Sequence, residues 1–274
     1  LASLALAYFA AMLVGMALFG IESWSEYSDP FGGYFNLISR LGPLEVRDRV
    51  LNGRRPFASA VGLEVLPGTV ALVLVIIGVT TFDGAQNGVV WNNLGPHIAS
   101  GFRSLGAADA TADQLSGSVG LLIAIGVVAG FFWLGVLGMR TVSQRFEVGE
   151  LARQFAHTLV PIAFAYVLAH YFSLLIWQGQ AIGYLASNPL GHGSNYFGTA
   201  HWHINYSAIS STAIWYVQVT ALAIGHVAGL TLAHDRALSS YRSSVEAVRS
   251  QYWMLTMMVF FTSLGLWLLS AVNT

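Results

Sequence analysis

Long apolar stretches alternate with short polar segments along the chain, and their lengths predict the fold. The first stretch, residues 1–21, holds no charged residue. At about 1.5 Å of rise per residue, a helix of that length crosses the hydrocarbon core of a bilayer, which is about 30 Å thick. Further apolar runs cover residues 66–82, 118–139, 156–177, 207–232 and 252–272. The pattern predicts an all-α fold, a polytopic transmembrane helix bundle with six spans that forms a single integral-membrane domain over residues 1–274.

The polar segment between the first two spans contains an apolar stretch of its own. PFGGYFNLISRLGPL, residues 30–44, carries one proline at its first position and another next to its last. A helix of that length measures only about 22 Å, which is too short to span. We therefore expect an interfacial or re-entrant helix that associates with the membrane without crossing it. The next polar segment, residues 83–117, contains several Asn and Gly residues and is predicted to be a polar loop.

Every one of the twelve basic residues is arginine, and they are divided very unevenly between the polar segments. In chain order, the five connectors carry five, one, three, none and three arginines. Cytoplasmic loops of membrane proteins are enriched in basic residues. The distribution predicts a multi-pass protein of the plasma membrane with segments 22–65, 140–154 and 233–251 in the cytoplasm, so that both ends of this portion lie outside.

Composition narrows the class of protein further. Hydrophobic residues make up 55% of the chain and charged residues 9%, whereas soluble domains carry about 25% charged residues. The net charge of −1 argues against nucleic acid as a partner, since phosphate backbones are bound by clusters of basic residues. Cysteine is absent, which excludes disulfides and zinc–thiolate sites.

The chain starts without methionine and inside an apolar run. A signal peptide would carry a basic region before its apolar core, and none is present. We therefore expect residue 1 to lie inside a longer protein. The expected partners are the N-terminal part of that longer chain, the lipid bilayer and other membrane subunits.

Polar groups within the predicted spans mark the candidate site. Ionisable residues at membrane depth are costly and are functional candidates for that reason. No acidic residue falls within any of the six spans, which argues against an exchanger driven by carboxylates. Seven of the eight histidines lie between residues 151 and 236. The candidates for ligand or metal binding are His157, His170, Gln218 and His226.

His157 and His226 form the leading candidate pair. Under the predicted topology both lie near the cytoplasmic interface, on the fourth and fifth spans, and consecutive elements tend to pack together. His226 lies between Gly225 and Gly229, a spacing of small residues that permits close helix approach. Two imidazoles there could hold a metal ion, a haem or a shared proton. The alternative is that each histidine bonds a helix carbonyl and only stabilises packing.

His170 is expected at a different depth. It lies thirteen residues after His157, which corresponds to about 20 Å of rise and a rotation of about 140°. That rotation excludes a pair of stacked haems on this helix and places His170 in a separate environment in the outer half of the membrane. Pro161, in the first turns of the same span, is expected to kink the helix because it removes a backbone hydrogen bond.

Three further histidines, His192, His201 and His203, share the predicted outer loop 178–206. His201 and His203 flank a tryptophan, and in an extended segment both imidazoles face the same side. That spacing can serve copper, zinc or nickel. Because no carboxylate accompanies them, a surface loop without a metal is the alternative interpretation.

Several stretches of the chain are similar to one family of membrane proteins. They include GMALFGIESWSE, PGTVALVLVIIGVTTFDG, FAHTLVPIAFAYVLAHYFSLLIWQGQAIGYLASNPLG, AIWYVQVTALAIGHVAGLTLAHDRAL and RSQYWMLTMMVFFTSLGLWLLSA. The sequence resembles the actinobacterial polytopic membrane proteins commonly labelled fenitrothion hydrolase, over nearly its whole length and as the C-terminal part of a longer chain. The label implies cleavage of organophosphate esters, which usually needs a metal-bound hydroxide held by His and carboxylates. The sequence predicts no such carboxylate–histidine cluster within the membrane.

Three functions follow as hypotheses. The leading one is an integral membrane permease, or the membrane subunit of a larger assembly, with a polar path between the fourth and fifth spans. The second is a metal- or haem-binding membrane redox subunit that uses His157 and His226. The third is the organophosphate hydrolase that the resemblance implies.

Overall fold

The computed structural model describes residues 2–47, 49–61, 65–66 and 68–272, and helices dominate it. The first part of the chain contains α1 (Ala2–Phe19), α2 (Ile21–Tyr27), α3 (Pro30–Ser39), β1 (Leu44–Arg47), β2 (Val50–Gly53) and α4 (Ala58–Val61). The remainder contains α5 (Thr69–Ala85), α6 (Val89–Ser104), α7 (Asp109–Val142), α8 (Val148–Phe155), a 3₁₀ turn (Ala156–Leu159), α9 (Val160–Gln178), α10 (Ala181–Ser187), α11 (Ser211–Ser240) and α12 (Ser244–Val272). The predicted all-α class is confirmed, with one small hairpin added.

In the part of the chain that the structure describes, four helical segments are long and apolar enough to cross a membrane: α1, α7, α11 and the continuous segment Val148–Gln178, which joins α8 to α9. Helices α5 and α6 add a fifth if they form one broken span, since they meet at an angle of 96°. The predicted span 252–272 lies within α12, whose side chains from residue 268 onward fall outside the described part. The helical membrane architecture is therefore confirmed, whereas the count of six spans stays a prediction.

The predicted polar loop at residues 83–117 is wrong. Most of this segment is helical, as the end of α5, all of α6 and the first turns of α7. Pro96 lies inside α6, and the helix buries Gly95 and Ala99 against α7 while its polar residues face outward. The hydroxyl of Ser116 donates to the Gly95 carbonyl at 2.8 Å. An amphipathic face packed on a neighbour therefore outweighs the low helix propensity of its Asn, Gly and Pro residues.

The connector predicted at residues 140–154 also contains a helix. Helix α8 begins at Val148 and continues through the 3₁₀ turn into α9, whose second residue is Pro161. Proline has no N–H to donate within the preceding turn, and the helix changes to 3₁₀ geometry directly before it. The α-helical geometry is thus interrupted before Pro161, and the predicted kink stays a prediction.

The stretch PFGGYFNLISRLGPL is helical over its first ten residues, as α3, and its last residue begins β1. Pro30 takes the first turn of the helix, and the Asp29 carboxylate caps it by accepting from the Phe31 N–H at 3.0 Å. The Tyr8 hydroxyl donates to the same carboxylate at 2.7 Å, and this bond holds the pKa of Asp29 below its ordinary value. The helical prediction is confirmed for these ten residues, and the membrane association of α3 stays a prediction.

The β1–β2 hairpin was not predicted. Its strands pair antiparallel with Leu44 opposite Gly53, and Arg49 in the turn has a positive φ of 64°. Arg54 fixes the hairpin to the end of α3, because its guanidinium donates to the carbonyls of Ser39 at 2.6 Å and Gly42 at 2.9 Å.

Five helices form a closed ring in which α9 contacts α11, α11 contacts α12, α12 contacts α7, α7 contacts α5, and α5 contacts α9. Their inward faces form the core, where Met139 of α7 is fully buried, as are Leu151 and Phe155 of the neighbouring α8. The outward faces expose many large apolar side chains, including Leu122, Leu134, Leu175, Ile224 and Val227. Soluble proteins rarely expose so much apolar surface, so these faces match a lipid environment.

Helices α9 and α11 approach closely because two glycines face the contact. A Cβ on Gly225 would overlap the Cβ of Ala165, and a Cβ on Gly229 would lie 2.7 Å from the Thr158 carbonyl oxygen. The predicted adjacency of the two histidine-bearing helices is therefore confirmed. Gly126, on the outward part of α7, has nothing within 4 Å of the equivalent position.

The different packing of Gly229 and Gly126 predicts different effects of alanine on stability, with Gly126 as the control position. Gly229→Ala is expected to lower the free energy of unfolding by about 1–3 kcal/mol through overpacking, offset in part by the better helix propensity of alanine, up to about 1 kcal/mol. Gly126→Ala gains the helix propensity of alanine without a clash, so the free energy of unfolding should stay unchanged or rise. Thermal unfolding in detergent micelles measures both, and equal shifts in the two variants would contradict the close contact.

Candidate functional site

A cavity of about 280 Å³ lies between α5, α9, α11 and α12. Under the predicted topology, most of the lining residues fall in the outer half of their helices. The lining residues are Thr80, Thr81, Asp83, Gly84, Asn87, Tyr166, Ala169, His170, Ser173, Trp177, Ser211, Ile214, Gln218, Leu222 and Gly265. Ligand sites typically have volumes of about 300–1,000 Å³, so this cavity suits a small ligand.

Asp83 is the charged centre of the cavity. The carboxylate Oδ2 accepts from the Tyr171 hydroxyl at 3.1 Å and lies 3.9 Å from the His170 Nε2. About a third of each side chain is exposed, 35% for Asp83 and 30% for His170. The Gln86 amide lies 3.4 Å from Oδ1. The carboxylate is thus held in place by its neighbours and remains open to the cavity.

Gln218 lies on the opposite wall of the same cavity. It is 8% exposed, and its Nε2 donates to the Ala169 carbonyl at 2.8 Å, which ties α11 to α9. The structure therefore brings together two of the predicted candidates, His170 and Gln218, on facing helices. The sequence predicts separate environments for His170 and His157, and His170 lines this cavity whereas His157 does not.

The charge in this cavity is of one sign, which is negative. Asp83 is acidic, and among the lining residues that the structure describes none is an arginine. Aromatic rings of Tyr166 and Trp177 face the same space, and the buried Trp177 Nε1 has no hydrogen-bond partner among the described residues. A carboxylate beside aromatic faces is a combination that attracts cations, since the ring face carries partial negative charge.

A second, smaller cavity of about 40 Å³ lies deeper in the bundle. Its lining is apolar except for Tyr166 and His226. The His226 imidazole bonds the Leu222 carbonyl through Nδ1 at 2.7 Å, while its Nε2 is buried without a partner in the described part. Tyr166 lines both cavities, with its ring centre 6.0 Å from that of His226. Tyr166 is therefore a residue that the two cavity linings have in common.

His157 has other surroundings. It lies in the 3₁₀ turn before α9 and is 1% exposed. Its Nε2 has no hydrogen-bond partner among the described residues. Arg236 is the charged side chain that interacts with the imidazole electrostatically. His157 does not line the small cavity beside His226. A ligand or proton shared between these two histidines therefore stays a prediction.

Metal binding needs several converging donors, and the described residues do not bring together any group of three His, Asp or Glu side chains suited to a metal ion. His192, His201 and His203 are all exposed on the segment between α10 and α11. A metal site in this loop stays a prediction.

Asp83 is the site residue that sequence reasoning missed. The predicted span ended at residue 82, and the acid was assigned to a polar loop. Helix α5 continues to Ala85, which places Asp83 on a helix of the bundle and against His170. The contact between Asp83 and His170 is one that the sequence analysis does not predict. The signal was an acidic residue directly after an apolar run, where helix boundaries are least certain.

No protein-family model matches the sequence, and searches of curated proteins and of solved structures gave no significant match. The fold and the apolar outer faces define the class, a helical membrane protein. The resemblance to the membrane proteins labelled fenitrothion hydrolase stays a prediction.

Proposed function

We propose that this protein is an integral membrane permease, or the permease subunit of a larger assembly, for a small organic cation. The observation that carries the proposal is the cavity of about 280 Å³ that contains the Asp83 carboxylate and lacks a lining arginine among the described residues. The path we infer starts in this cavity and continues between α9 and α11, where Tyr166 separates it from His226.

The chemistry of the cavity fits an alkylammonium ion. Asp83 supplies a counter-charge, and the rings of Tyr166 and Trp177 supply faces on which a quaternary ammonium group can rest. Hydroxyls of Thr80, Ser173 and Ser211 and the amide of Gln218 add polar groups along the walls. An anionic ligand would meet the Asp83 carboxylate, and the described lining has no arginine to offset that charge.

His170 lies beside Asp83 on the wall of the cavity, with its Nε2 3.9 Å from the carboxylate. This side of the cavity therefore presents a carboxylate and an imidazole to a bound ligand.

The orientation in the membrane is part of the proposal. The eleven arginines of segments 22–65, 140–154 and 233–251 support a cytoplasmic location for these segments. With six spans, the mouth of the cavity then opens to the outside of the plasma membrane. Uptake of an external cation follows the inside-negative potential.

The other hypotheses have less support from the structure. A metal-dependent hydrolase or redox centre needs donors that converge, and the described residues show a single Asp–His pair in the bundle cavity. A haem between His157 and His226 would have to occupy a space of about 40 Å³ beside His226, which is far smaller than a porphyrin.

The test is uptake of labelled tetraethylammonium into proteoliposomes that hold an inside-negative potential. We expect the purified protein to accelerate uptake above that of protein-free vesicles, and labelled methanesulfonate to show no such acceleration. A quaternary ion is a suitable probe because it has no neutral form that leaks through lipid. Equal rates with and without protein would overturn the proposal of a cation permease.

A further inference from the structure

A groove on the outer surface of the bundle lies between α5, α7 and α8, away from the cavity that contains Asp83. Its volume is about 470 Å³. The lining residues are Leu66, Gly68, Val70, Ala71, Leu74, Val75, Ile125, Ala129, Trp133, Gly149, Ala152 and Arg153. We propose that this groove binds an anionic phospholipid, with the phosphate on Arg153 and one acyl chain along α5 and α7.

The shape of the groove follows from one close helix contact. A Cβ on Gly78 would lie 2.7 Å from the Ile125 Cα, so α5 and α7 touch there. On the Arg153 side of this contact, the groove opens between Ala71 on α5 and Ala129 on α7. From Ile125 to Trp133 the wall is eight residues long, which corresponds to about 12 Å of helix. Small side chains at Ala71 and Ala129 leave room for an extended hydrocarbon chain.

The groove is apolar at one end and basic at the other, which matches a lipid with an apolar acyl chain and an anionic headgroup. Valine, leucine and isoleucine line the end near Ile125, whereas Arg153 and Gly149 lie at the other end. Arg153 Nη1 lies 3.7 Å from where a Cβ of Gly149 would be, which is an ordinary contact distance, so the guanidinium lies against Gly149. Among the described lining residues there is no acid to neutralise it.

The depth of these residues matches that of a lipid headgroup. Arg153 belongs to the segment 140–154, which the arginine distribution places at the cytoplasmic surface. Trp133 lines the groove, and indoles favour the membrane interface. Anionic lipids attract basic side chains at this surface. Charge, shape and depth therefore point to the same occupant.

Trp133 provides the readout for a test. The purified chain is placed in nanodiscs of phosphatidylcholine that contain rising fractions of phosphatidylglycerol with brominated acyl chains, which quench nearby indoles. A parallel titration uses brominated phosphatidylcholine in place of the brominated anionic lipid. Subtracting the signal of Trp133→Phe isolates this residue from the other seven tryptophans. We expect Trp133 to be quenched at about fivefold lower mole fraction of the anionic lipid, the scale of one basic side chain at a charged surface.

Two variants test the headgroup contact. Arg153→Gln is expected to remove the preference for the anionic lipid, and Arg153→Lys to retain it. Arg249→Gln makes the same charge change on the same predicted side and does not line the groove, so the preference should remain. Ala71→Leu fills the groove and should reduce quenching by both lipids.

The inference is overturned if the unmodified protein shows no preference between the two lipids. It is also overturned if Arg153→Gln and Arg249→Gln have the same effect, because the preference then reflects the general surface charge. None of these results depends on transport, so the proposed function and this lipid site can fail separately.

Discussion

Replacing Asp83 with asparagine is expected to reduce uptake of tetraethylammonium by about tenfold or more, which corresponds to about 1.4 kcal/mol of lost binding. The carboxylate is the acidic group among the described residues of the cavity, and a cation that leaves water needs a counter-charge there. Asparagine preserves the size of the side chain and an acceptor for the Tyr171 hydroxyl, which lies 3.1 Å from the carboxylate. The loss is therefore electrostatic, and uptake rates at several concentrations should show it mainly as weaker binding.

Asp109→Asn is the matched control for this variant. Asp109 lies on the same predicted side and is 88% exposed, where it pairs with Arg103 at 2.7 Å outside the cavity. The change of charge is identical, so an effect of general surface potential appears in both variants. Uptake that remains unchanged in Asp83→Asn, or falls equally in both, would contradict a site at Asp83.

Replacing Tyr166 with alanine is expected to join the two cavities and to destabilise the protein. Tyr166 is 8% exposed, lines both spaces, and donates a hydrogen bond to the Phe261 carbonyl at 3.3 Å. Removing a buried aromatic ring from a packed core costs about 3–5 kcal/mol. In vesicles that contain folded variant, tetraethylammonium should leak faster and with less saturation, because the ring no longer separates the outer cavity from His226.

Tyr166→Phe separates the two roles of this side chain. Phenylalanine keeps the ring between the cavities and loses only the hydroxyl, so leakage should stay at the original level and the stability loss should be about 1 kcal/mol. Thermal unfolding and passive efflux are measured on the same preparations. An alanine variant that folds and leaks no faster than the phenylalanine variant would contradict the role of Tyr166 as a barrier.

Much of the fold could be predicted from the pattern of apolar residues. Length and hydropathy identified α7, the segment Val148–Gln178 and α11, because a bilayer requires about twenty apolar residues in a row. Helix α11 begins at Ser211, four residues after the predicted start at residue 207. The pattern failed at residues 83–117, where the helix α6 is amphipathic and its stability comes from burial of Gly95 and Ala99 against α7. Packing partners of that kind are tertiary information that a single helix does not carry in its composition.

The site was predicted in part. His170 and Gln218 were identified because polar groups at membrane depth are costly, and both line the outer cavity. Asp83 was excluded because a predicted boundary at residue 82 fell three residues before the observed end of α5 at Ala85. Helical boundaries depend on local capping and neighbouring contacts, and here Tyr171 and His170 on another helix surround the acid.

The grouping of the histidines shows a second limit. The pair His157 and His226 was chosen from depth and from the order of helices, and Gly225 and Gly229 do bring α9 and α11 into contact. Depth and adjacency do not specify which way each ring points. His226 faces the small cavity, and His157 does not line it.

The most direct measurement of the central claim uses the absence of cysteine from residues 1–274. Ser173→Cys places a single thiol on the cavity wall, and two membrane-impermeant methanethiosulfonates are applied from the predicted outer side, one with a trimethylammonium group and one with a sulfonate. The measured quantity is the reaction rate of the cationic reagent divided by that of the anionic reagent, normalised by the same ratio for a free thiol. We predict a normalised ratio of about ten, the scale of a unit charge nearby. Addition of Asp83→Asn should bring the ratio to about one, and tetraethylammonium should protect the thiol while Asp83 is present. An anionic reagent that reacts as fast as the cationic one, or a ratio that Asp83→Asn leaves unchanged, would contradict a cation site in this cavity.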